Sequence, residues 1–577
     1  MVDKVLVREY LSSLKEDGEL DKILILLLES MGFQIIRTAK DTKGISQYGS
    51  DIIAIGKDKY DKEWLWQIEV KGHSQKDVNV NTFSGSDASF QSFIEALYTP
   101  IVIAGNSEIN KLPRRFVLAH NGITDAKFQP TFNGIIEKHL PEKDEFEDWN
   151  IYKLSDLFSD HLFGSYIFTS NENERLFKRL IIFFTTPEYN FDELHSLFRN
   201  LKDQLKSNNK FNDRRKFVNF FATINLIMQM TWHYADEEGN LNPAKYVINY
   251  CILNTWAFIL EEKKEKRKKF LDQFDSLLKT QFRFLSDYYR KTFEVASSYR
   301  GLFNSKEFNF EQIGYSIRCY EYCDYLTYFY QLNNAFIHDN QQVIQSLRAQ
   351  KDSIRNLVGN NKEGFSKILF DDQLIAFHHF FSFMLSYNSS GDEITNEDAF
   401  FLIETLQLVF EQFLFTKKIK GSYIYSSKDL TKLIIREFKK SDDTNYPDKQ
   451  SIMLPVLIEY LAIFNLEFLI ENFKPLLEDI SLQLVRPNFN LHPDIEVLMF
   501  MKNLDQENFV ELIELEKLDA RDIIESRRNA TRDKYTFRTV KAGYSFLITL
   551  AQSFYKNEPY PEEWREWFDR INIRFES

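Results

Sequence analysis

Asp51, Glu69 and Lys71 are the residues of this 577-residue chain whose types and spacing could do chemistry. Paired carboxylates are hard oxygen ligands for Mg²⁺, an ion that keeps several waters and is completed by substrate phosphate. A metal held by such a pair polarises a phosphate and lowers the pKa of a bound water. A lysine beside it orients that water or stabilises the charge that develops on the phosphate. Together these are the parts of metal-assisted phosphodiester hydrolysis. They stand in Gly49-Ser50-Asp51 and in Trp66-Gln67-Ile68-Glu69-Val70-Lys71-Gly72-His73.

Two strands would have to position them. From Trp64 to Lys71 the residues alternate, with Trp64, Trp66, Ile68 and Val70 on one face and Leu65, Gln67, Glu69 and Lys71 on the other. The first face is apolar and suits a core; the second ends in a clustered Gln, Glu and Lys. Upstream, Asp51-Ile52-Ile53-Ala54-Ile55 reads as a partner strand, and the polar segment Gly56 to Glu63 reads as the hairpin loop between them. Folding back about the middle of that loop sets Asp51 opposite Glu69, a cross-strand pair about 5 Å apart. The lysine follows two residues along on the same face. A solvated hairpin with a surface Glu/Lys pair would alternate in the same way. The Gly-x-Asp turn, the apolar opposite face and the following Gly72-His73 favour a site.

At these residues the chain resembles the PD-(D/E)xK, or restriction-endonuclease-like, nuclease superfamily, in its Mrr-like flavour. The resemblance rests on Leu26-Leu27-Leu28-Glu29-Ser30-Met31-Gly32-Phe33 as the close of a helix, on Gly49-Ser50-Asp51, and on Gln67-Ile68-Glu69-Val70-Lys71, in matching order and spacing. It implies that Asp51 and Glu69 bind Mg²⁺, which Mn²⁺ can replace. It also implies that Lys71 serves the attacking water or the phosphate, and that Gln67 sits at the edge of the site. Such families often add an acid from the first helix, for which Asp21 stands at the expected place, with Glu19 as the alternative. An acid there also suits a helix dipole. The resemblance covers roughly the first 160 residues.

The elements that follow fit an α/β core of helices alternating with strands. Phe90 to Leu97 reads as a helix, and Pro100 to Ala104 either continues it or forms an apolar strand. Arg115 to Gly122 reads as a buried strand, and about Asp125 to His139 as a helix. Trp149 to Leu154 reads as a last strand entering a closing helix near Ser155 to Phe163. Arg115 and His120, spaced as in some helical-bundle ribonucleases, lie in a strand-like segment and are discounted as a site.

Composition bounds the remainder. With 44% hydrophobic and 27% charged residues the chain has an ordinary soluble profile. Gly (19) and Pro (13) are scarce, which favours long helices over many turns, while 54 Phe and 28 Tyr predict an aromatic core. A formal charge of −13 argues against a broad basic nucleic-acid surface, so any contact with DNA or RNA is local, metal-mediated or shared across an assembly. Three cysteines, Cys251, Cys319 and Cys323, make neither a disulfide framework nor a metal site. The first residues lack the pattern of a signal peptide, and the apolar runs are too short to span a bilayer. A cytoplasmic protein with no membrane association is the expectation.

From about Asn171 onward the periodicity is helical. Helices are expected at Leu194–Lys206, Arg215–Tyr234, Ala244–Lys269, Phe270–Phe293, Tyr315–Leu332 and Asn340–Val358. Further ones are expected at Leu374–Ser386, Asn396–Phe415, Ser427–Lys440, Ile452–Ile470 and Val540–Tyr555. Polar breaks fall near 359–364, 388–395 and 441–450. The basic run from Lys263 to Lys269 suits a solvated helix end. A denser cluster, Arg527, Arg528, Arg532 and Lys534 with Arg538, is the candidate for binding nucleic acid, a nucleotide signal or an acidic partner. His378-His379 lies among phenylalanines and suits packing. No Walker A loop, nucleotide-binding glycine fingerprint or nucleophile triad is present.

The expectation is therefore an α/β restriction-endonuclease-like domain over residues 1–165, followed by a large all-α region over 166–577. The first would cleave DNA with Mg²⁺. The second would sense a trigger, hold a partner protein or build a homo-oligomer, in keeping with an effector of bacterial defence against phage or foreign DNA. Two alternatives are a nuclease acting on RNA and a non-catalytic scaffold that binds nucleic acid or protein.

Overall fold

A computed structural model describes residues 7–8, 11–12, 14, 16, 20–38, 50–58, 60–72, 76–84, 89–99, 109, 111–140, 145–161, 171–182, 191–206, 214–306, 310–337, 339–369, 372–386, 396–420, 450–451, 453–480, 483–488, 493–504, 509–513, 519–523 and 537–557. Its contacts cluster into two compact units, residues 1–247 and 248–577.

The first unit is built on a five-stranded sheet of order β1-β2-β3-β4-β5, formed by Gln34–Thr38, Ile52–Lys57, Glu63–Lys71, Arg114–His120 and Phe146–Trp149. β1, β2 and β3 are antiparallel neighbours, whereas β4 and β5 join in parallel. A parallel neighbour requires a crossover, and helices supply it. Val80–Ser84 (α2) and Ser89–Tyr98 (α3) lie between β3 and β4, and Gln129–His139 (α4) lies between β4 and β5. α1 (Asp21–Ser30) precedes β1, and α5 (Ile151–Leu157) follows β5.

β3 is the central strand and is covered on both faces, so Trp64, Leu65, Trp66, Gln67 and Ile68 are all buried. The face expected to end in Gln67, Glu69 and Lys71 is thus covered along with the apolar one, and Leu65 and Gln67 on it are buried. On the face of Gln67 and Glu69, Phe83, Phe93, Phe116, Phe128 and Phe132 form an aromatic core under α2, α3 and α4. On the other face Trp66 packs between Phe33 and Trp149, with ring centroids 4.9 and 6.1 Å away. Gly56 is required there, because a Cβ on it would lie 2.4 Å from the Phe33 ring. Arg115 is buried on this face, stacked over Trp64 and Trp66 and paired with Asp58 and Glu147, which makes it a structural brace.

Two boundaries differ from the sequence reading. The last strand ends at Trp149 and α5 begins at Ile151, because the Asn150 side chain accepts hydrogen bonds from the Tyr152 and Lys153 N–H groups and so caps the helix. α4 begins at Gln129 instead of near Asp125, whose carbonyl is used in the preceding turn. Pro100 to Ala104 lies outside the described residues.

The unit continues with α6 (Asn171–Ile182), α7 (Asp192–Lys206) and α8 (Arg214–Glu237), and the division between units falls within α9 (Asn242–Glu261). The second unit is mostly helical. Its long members are α10 (Lys268–Ala296), α11 (Glu311–Ala335) and α12 (Asn340–Asn360), with the short α13 (Lys362–Phe365). α14 (Asp372–Leu385), α15 (Asn396–Lys420), α16 (Met453–Ile463) and α17 (Glu467–Ile480) follow. Later come α18 (Pro493–Met499), α19 (Arg538–Lys541) and α20 (Phe546–Tyr555).

This region is not wholly α. β6 (Gln450–Ser451), β7 (Gln483–Asn488) and β8 (Phe509–Ile513) form a second, three-stranded sheet that helical periodicity did not reveal. Three expected helices are also interrupted, each where the backbone enters the left-handed region. Lys263 (φ 54°) separates α9 from α10, Asn465 (φ 55°) separates α16 from α17, and Gly543 (φ 88°) separates α19 from α20. A residue in that conformation ends a right-handed helix. The expected helix Ser427–Lys440 lies outside the described residues. Cys251, Cys319 and Cys323 are buried free thiols.

Candidate active site

The β2–β3 register is the one that folding about the loop required. Ile52 faces Ile68 and Lys57 faces Glu63, and the Asp51 N–H donates to the Ile68 carbonyl at 2.9 Å. Asp51 thus arrives beside Glu69 at the end of the hairpin, and its Oδ2 accepts from the Val70 N–H at 2.8 Å. That backbone bond fixes the Asp51 rotamer. Lys71 Nζ lies 3.0 Å from Glu69 Oε1, and both side chains are 13% exposed. The aspartate, the glutamate and the lysine therefore converge.

A further carboxylate joins them. Glu16 Oε1 accepts from Lys71 Nζ at 3.3 Å and its Oε2 accepts from the Gly72 N–H at 3.2 Å. The segment that carries it is tied down by Asn121, just past β4, whose amide donates to the Leu11 and Leu14 carbonyls at 2.7 Å each. Asn121 is buried and lies against Lys71, whose carbonyl accepts from its N–H at 3.4 Å. Among the described residues of the N-terminal segment, Glu16 is the acid paired with the lysine. Asp21 stands in the first turn of α1, and Glu19 lies outside the described residues. Spacing could not single out Glu16, because Lys15-Glu16-Asp17-Gly18-Glu19 offers several acids in a non-periodic stretch. Ser92, on α3, also hydrogen-bonds Glu69. Its only signal was its place in an expected helix.

The electrostatics follow from this crowding. Burial pushes the Glu69 carboxyl above the ordinary carboxylate range, and the Asp51 charge pushes it further, against the opposing pull of Lys71. Burial alone would lower the Lys71 ammonium, but Glu69, Glu16 and Asp51 outweigh it and hold the group charged, above its ordinary value. A cation between the two carboxylates would relieve the repulsion by which Asp51 raises Glu69. Mg²⁺ is commonly bound through one or two carboxylates plus substrate oxygens, and Asp51 with Glu69 is such a donor set. Among the described residues no group of three or more His, Cys, Asp or Glu side chains is arranged to hold a metal ion.

Gln67 is buried one pair along β3. Its Nε2 lies 3.5 Å from Ser50 Oγ and from the Ala96 carbonyl, and its Oε1 has no partner. Behind Glu69 a small cavity of about 20 Å³ opens between Ser50, Gln67 and Phe93.

The remaining candidates are in the second unit. Arg527, Arg528, Arg532 and Lys534 lie outside the described residues. Arg538 opens α19, where its guanidinium donates to the Leu260 carbonyl at 2.9 Å and to Glu496 at 3.4 Å. His378 Nδ1 lies 2.7 Å from the Tyr460 hydroxyl, and His379 is held between Asp324 and Gln552, so the pair forms part of the buried core. Among the described residues no helix is long and apolar enough to cross a membrane.

No family model, no curated protein and no solved structure matches this chain.

Proposed function

We propose that the N-terminal unit is a Mg²⁺-dependent endonuclease that cleaves DNA. The observation that carries this reading is the convergence of Asp51 and Glu69 across the β2–β3 hairpin with the Lys71 ammonium 3.0 Å from Glu69. Asp51 and Glu69 would hold the ion, which when bound supplies a polarised phosphate and a more acidic water. Lys71 is kept protonated by the acids around it, so it acts as a fixed positive charge and hydrogen-bond donor. In that state it can orient a water and stabilise charge on a phosphate oxygen. Glu16 shares this lysine with Glu69 and fixes where its ammonium points. Gln67 lies deeper and supports the strand.

The net charge of −13 is compatible with this site, since the phosphate would be met locally by metal and Lys71. The mostly helical second unit is proposed to sense a trigger, hold a partner protein or assemble copies of the chain. Cutting both strands of a duplex calls for two active sites, hence a homo-oligomer. An effector of bacterial defence against phage or foreign DNA is the role these parts suit.

The test is cleavage of plasmid and linear DNA by the full chain with Mg²⁺ or Mn²⁺, beside Asp51→Ala and Lys71→Ala, with RNA as a competing substrate. Wild-type cleavage should fall by about 100- to 1000-fold in each variant, the usual size for losing one transition-state contact. Cleavage that survives both substitutions removes this site from the reaction, and preferential loss of the RNA moves the substrate to RNA.

A further inference from the structure

At the end of β3 two donors stand side by side, and one carboxylate takes both. Glu16 Oε1 accepts from the Lys71 ammonium at 3.3 Å, and Glu16 Oε2 accepts from the Gly72 N–H at 3.2 Å. Lysine ammonium groups and backbone N–H groups are also what proteins offer to the oxygens of a nucleic-acid phosphate. The Glu16 carboxylate, with two oxygens on one atom, therefore sits on this pair as a phosphate would. The same ammonium lies 3.0 Å from Glu69 Oε1, so an anion held on it borders the Asp51 and Glu69 pair.

The two occupants exclude one another. The Gly72 N–H has a single hydrogen, and Glu16 receives it. A phosphate brought to Lys71 would meet the Glu16 charge at close range, and like charges repel more strongly in a partly dry site than in water.

The acids of the cluster also differ in how they are held. Asp51 accepts from the Val70 N–H within the hairpin, and Glu69 lies on β3 between Lys71 and Ser92. Glu16 belongs to neither strand. Its side chain is 32% exposed, against 13% for Glu69 and Lys71, and among the described residues Lys71 and Gly72 are its partners. The backbone before it is fixed, because Leu11 and Leu14 are buried and their carbonyls accept from the Asn121 amide. Rotation of the Glu16 side chain alone would carry the carboxylate into water and release both donors, with the segment left in place.

We propose that the Lys71 ammonium and the Gly72 N–H receive the substrate phosphate, and that Glu16 occupies them in the resting chain as an internal competitor. This regulation rests on the reading of the site as a nuclease. While Glu16 stays in place, it aims the ammonium at the position the phosphate takes over. The test is fluorescence anisotropy of a labelled DNA duplex with the full chain in the absence of metal, beside plasmid cleavage in Mg²⁺. The chains compared are the wild type, Glu16→Ala, Glu16→Gln, Lys71→Ala and the double variant Glu16→Ala/Lys71→Ala. Glu16→Ala should bind the duplex at least about tenfold more tightly than the wild type and cleave faster. Glu16→Gln keeps the size of the side chain and removes its charge. It should gain in the same direction, which keeps the result readable if Glu16→Ala unfolds. The double variant should bind no more tightly than Lys71→Ala. The inference fails if neither Glu16 variant gains affinity, if Glu16→Ala cleaves more slowly than the wild type, or if the gain persists undiminished without Lys71. Those results leave the nuclease reading standing wherever Asp51→Ala still abolishes cleavage. Cleavage that survives Asp51→Ala overturns that reading, and this inference with it.

Discussion

Two polar clusters, a partly buried one in the first unit and a buried one in the second, use the same residue types to opposite effect. Around Glu69 like charges are brought together, with Asp51 beside it, Glu16 beyond, and a single lysine between. Around Asp324 in the second unit every group has its complement. His379 Nδ1 donates to Asp324 Oδ1 at 2.7 Å, Ser553 donates to Asp324 Oδ2, and His379 Nε2 lies 2.8 Å from Gln552 Oε1. Burial tends to raise both carboxyls. In Glu69 the Asp51 charge adds to burial and the group is raised; in Asp324 the histidine overrides burial and the group is lowered. A saturated cluster ties α11, α14 and α20 together. A cluster left with excess negative charge is where the proposed Mg²⁺ would sit. The sign of the shift, more than the depth of burial, separates the brace from the candidate site.

That contrast can be broken first at Asp324. Replacing it with Ala leaves His379 without its buried partner and should cost about 3–5 kcal/mol, read as a lower urea midpoint for the second unit. Asp51→Ala should cost its own unit far less, because it relieves repulsion at Glu69. Equal losses would dissolve the distinction. The pH dependence carries the same sign. A carboxyl lowered on folding contributes stability above the unfolded-state value, about 4 for Asp. The share due to Asp324 is therefore present at neutral pH and lost as pH falls below that value. Acid unfolding should shift to higher pH when His379 is replaced by Ala.

The candidate site should respond instead to metal. Mg²⁺ at about 100 times its dissociation constant would stabilise the sheet unit by about 2.7 kcal/mol, seen as a raised thermal midpoint. The increase should vanish in Asp51→Asn, and the second unit's midpoint should not move. A midpoint indifferent to Mg²⁺ and Mn²⁺ in the wild-type chain would leave the carboxylate pair without its proposed occupant. The smallest expected effect lies at the edge of the sheet. Asn150→Ala removes the α5 cap and should cost about 1 kcal/mol with cleavage retained, measured by chemical denaturation alongside the plasmid assay.

The hairpin was legible because its signals are local. Alternation from Trp64 to Lys71, a polar loop and a two-residue side-chain period leave one register that pairs Asp51 with Glu69. Long helices such as α10 and α12 were legible for the same reason, since their apolar spacing repeats within the segment itself. The small sheet of β6, β7 and β8 was not, because its strands are short and far apart in the chain. The breaks at Lys263 and Asn465 were also hidden, as neither residue type demands a left-handed backbone.

By itself, then, the sequence determined the identity and spacing of the acid pair and its lysine, and the mostly helical character of the remainder. Both depend on neighbours a few residues away or on a single strand pairing. Only the tertiary structure decided that Glu16 shares Lys71, that Asn121 anchors the segment bearing it, and that Arg538 is spent on Glu496 and the Leu260 carbonyl. These pairings join residues that no local period links. They are set by which elements the core packs together and by the need of each buried polar atom for a partner.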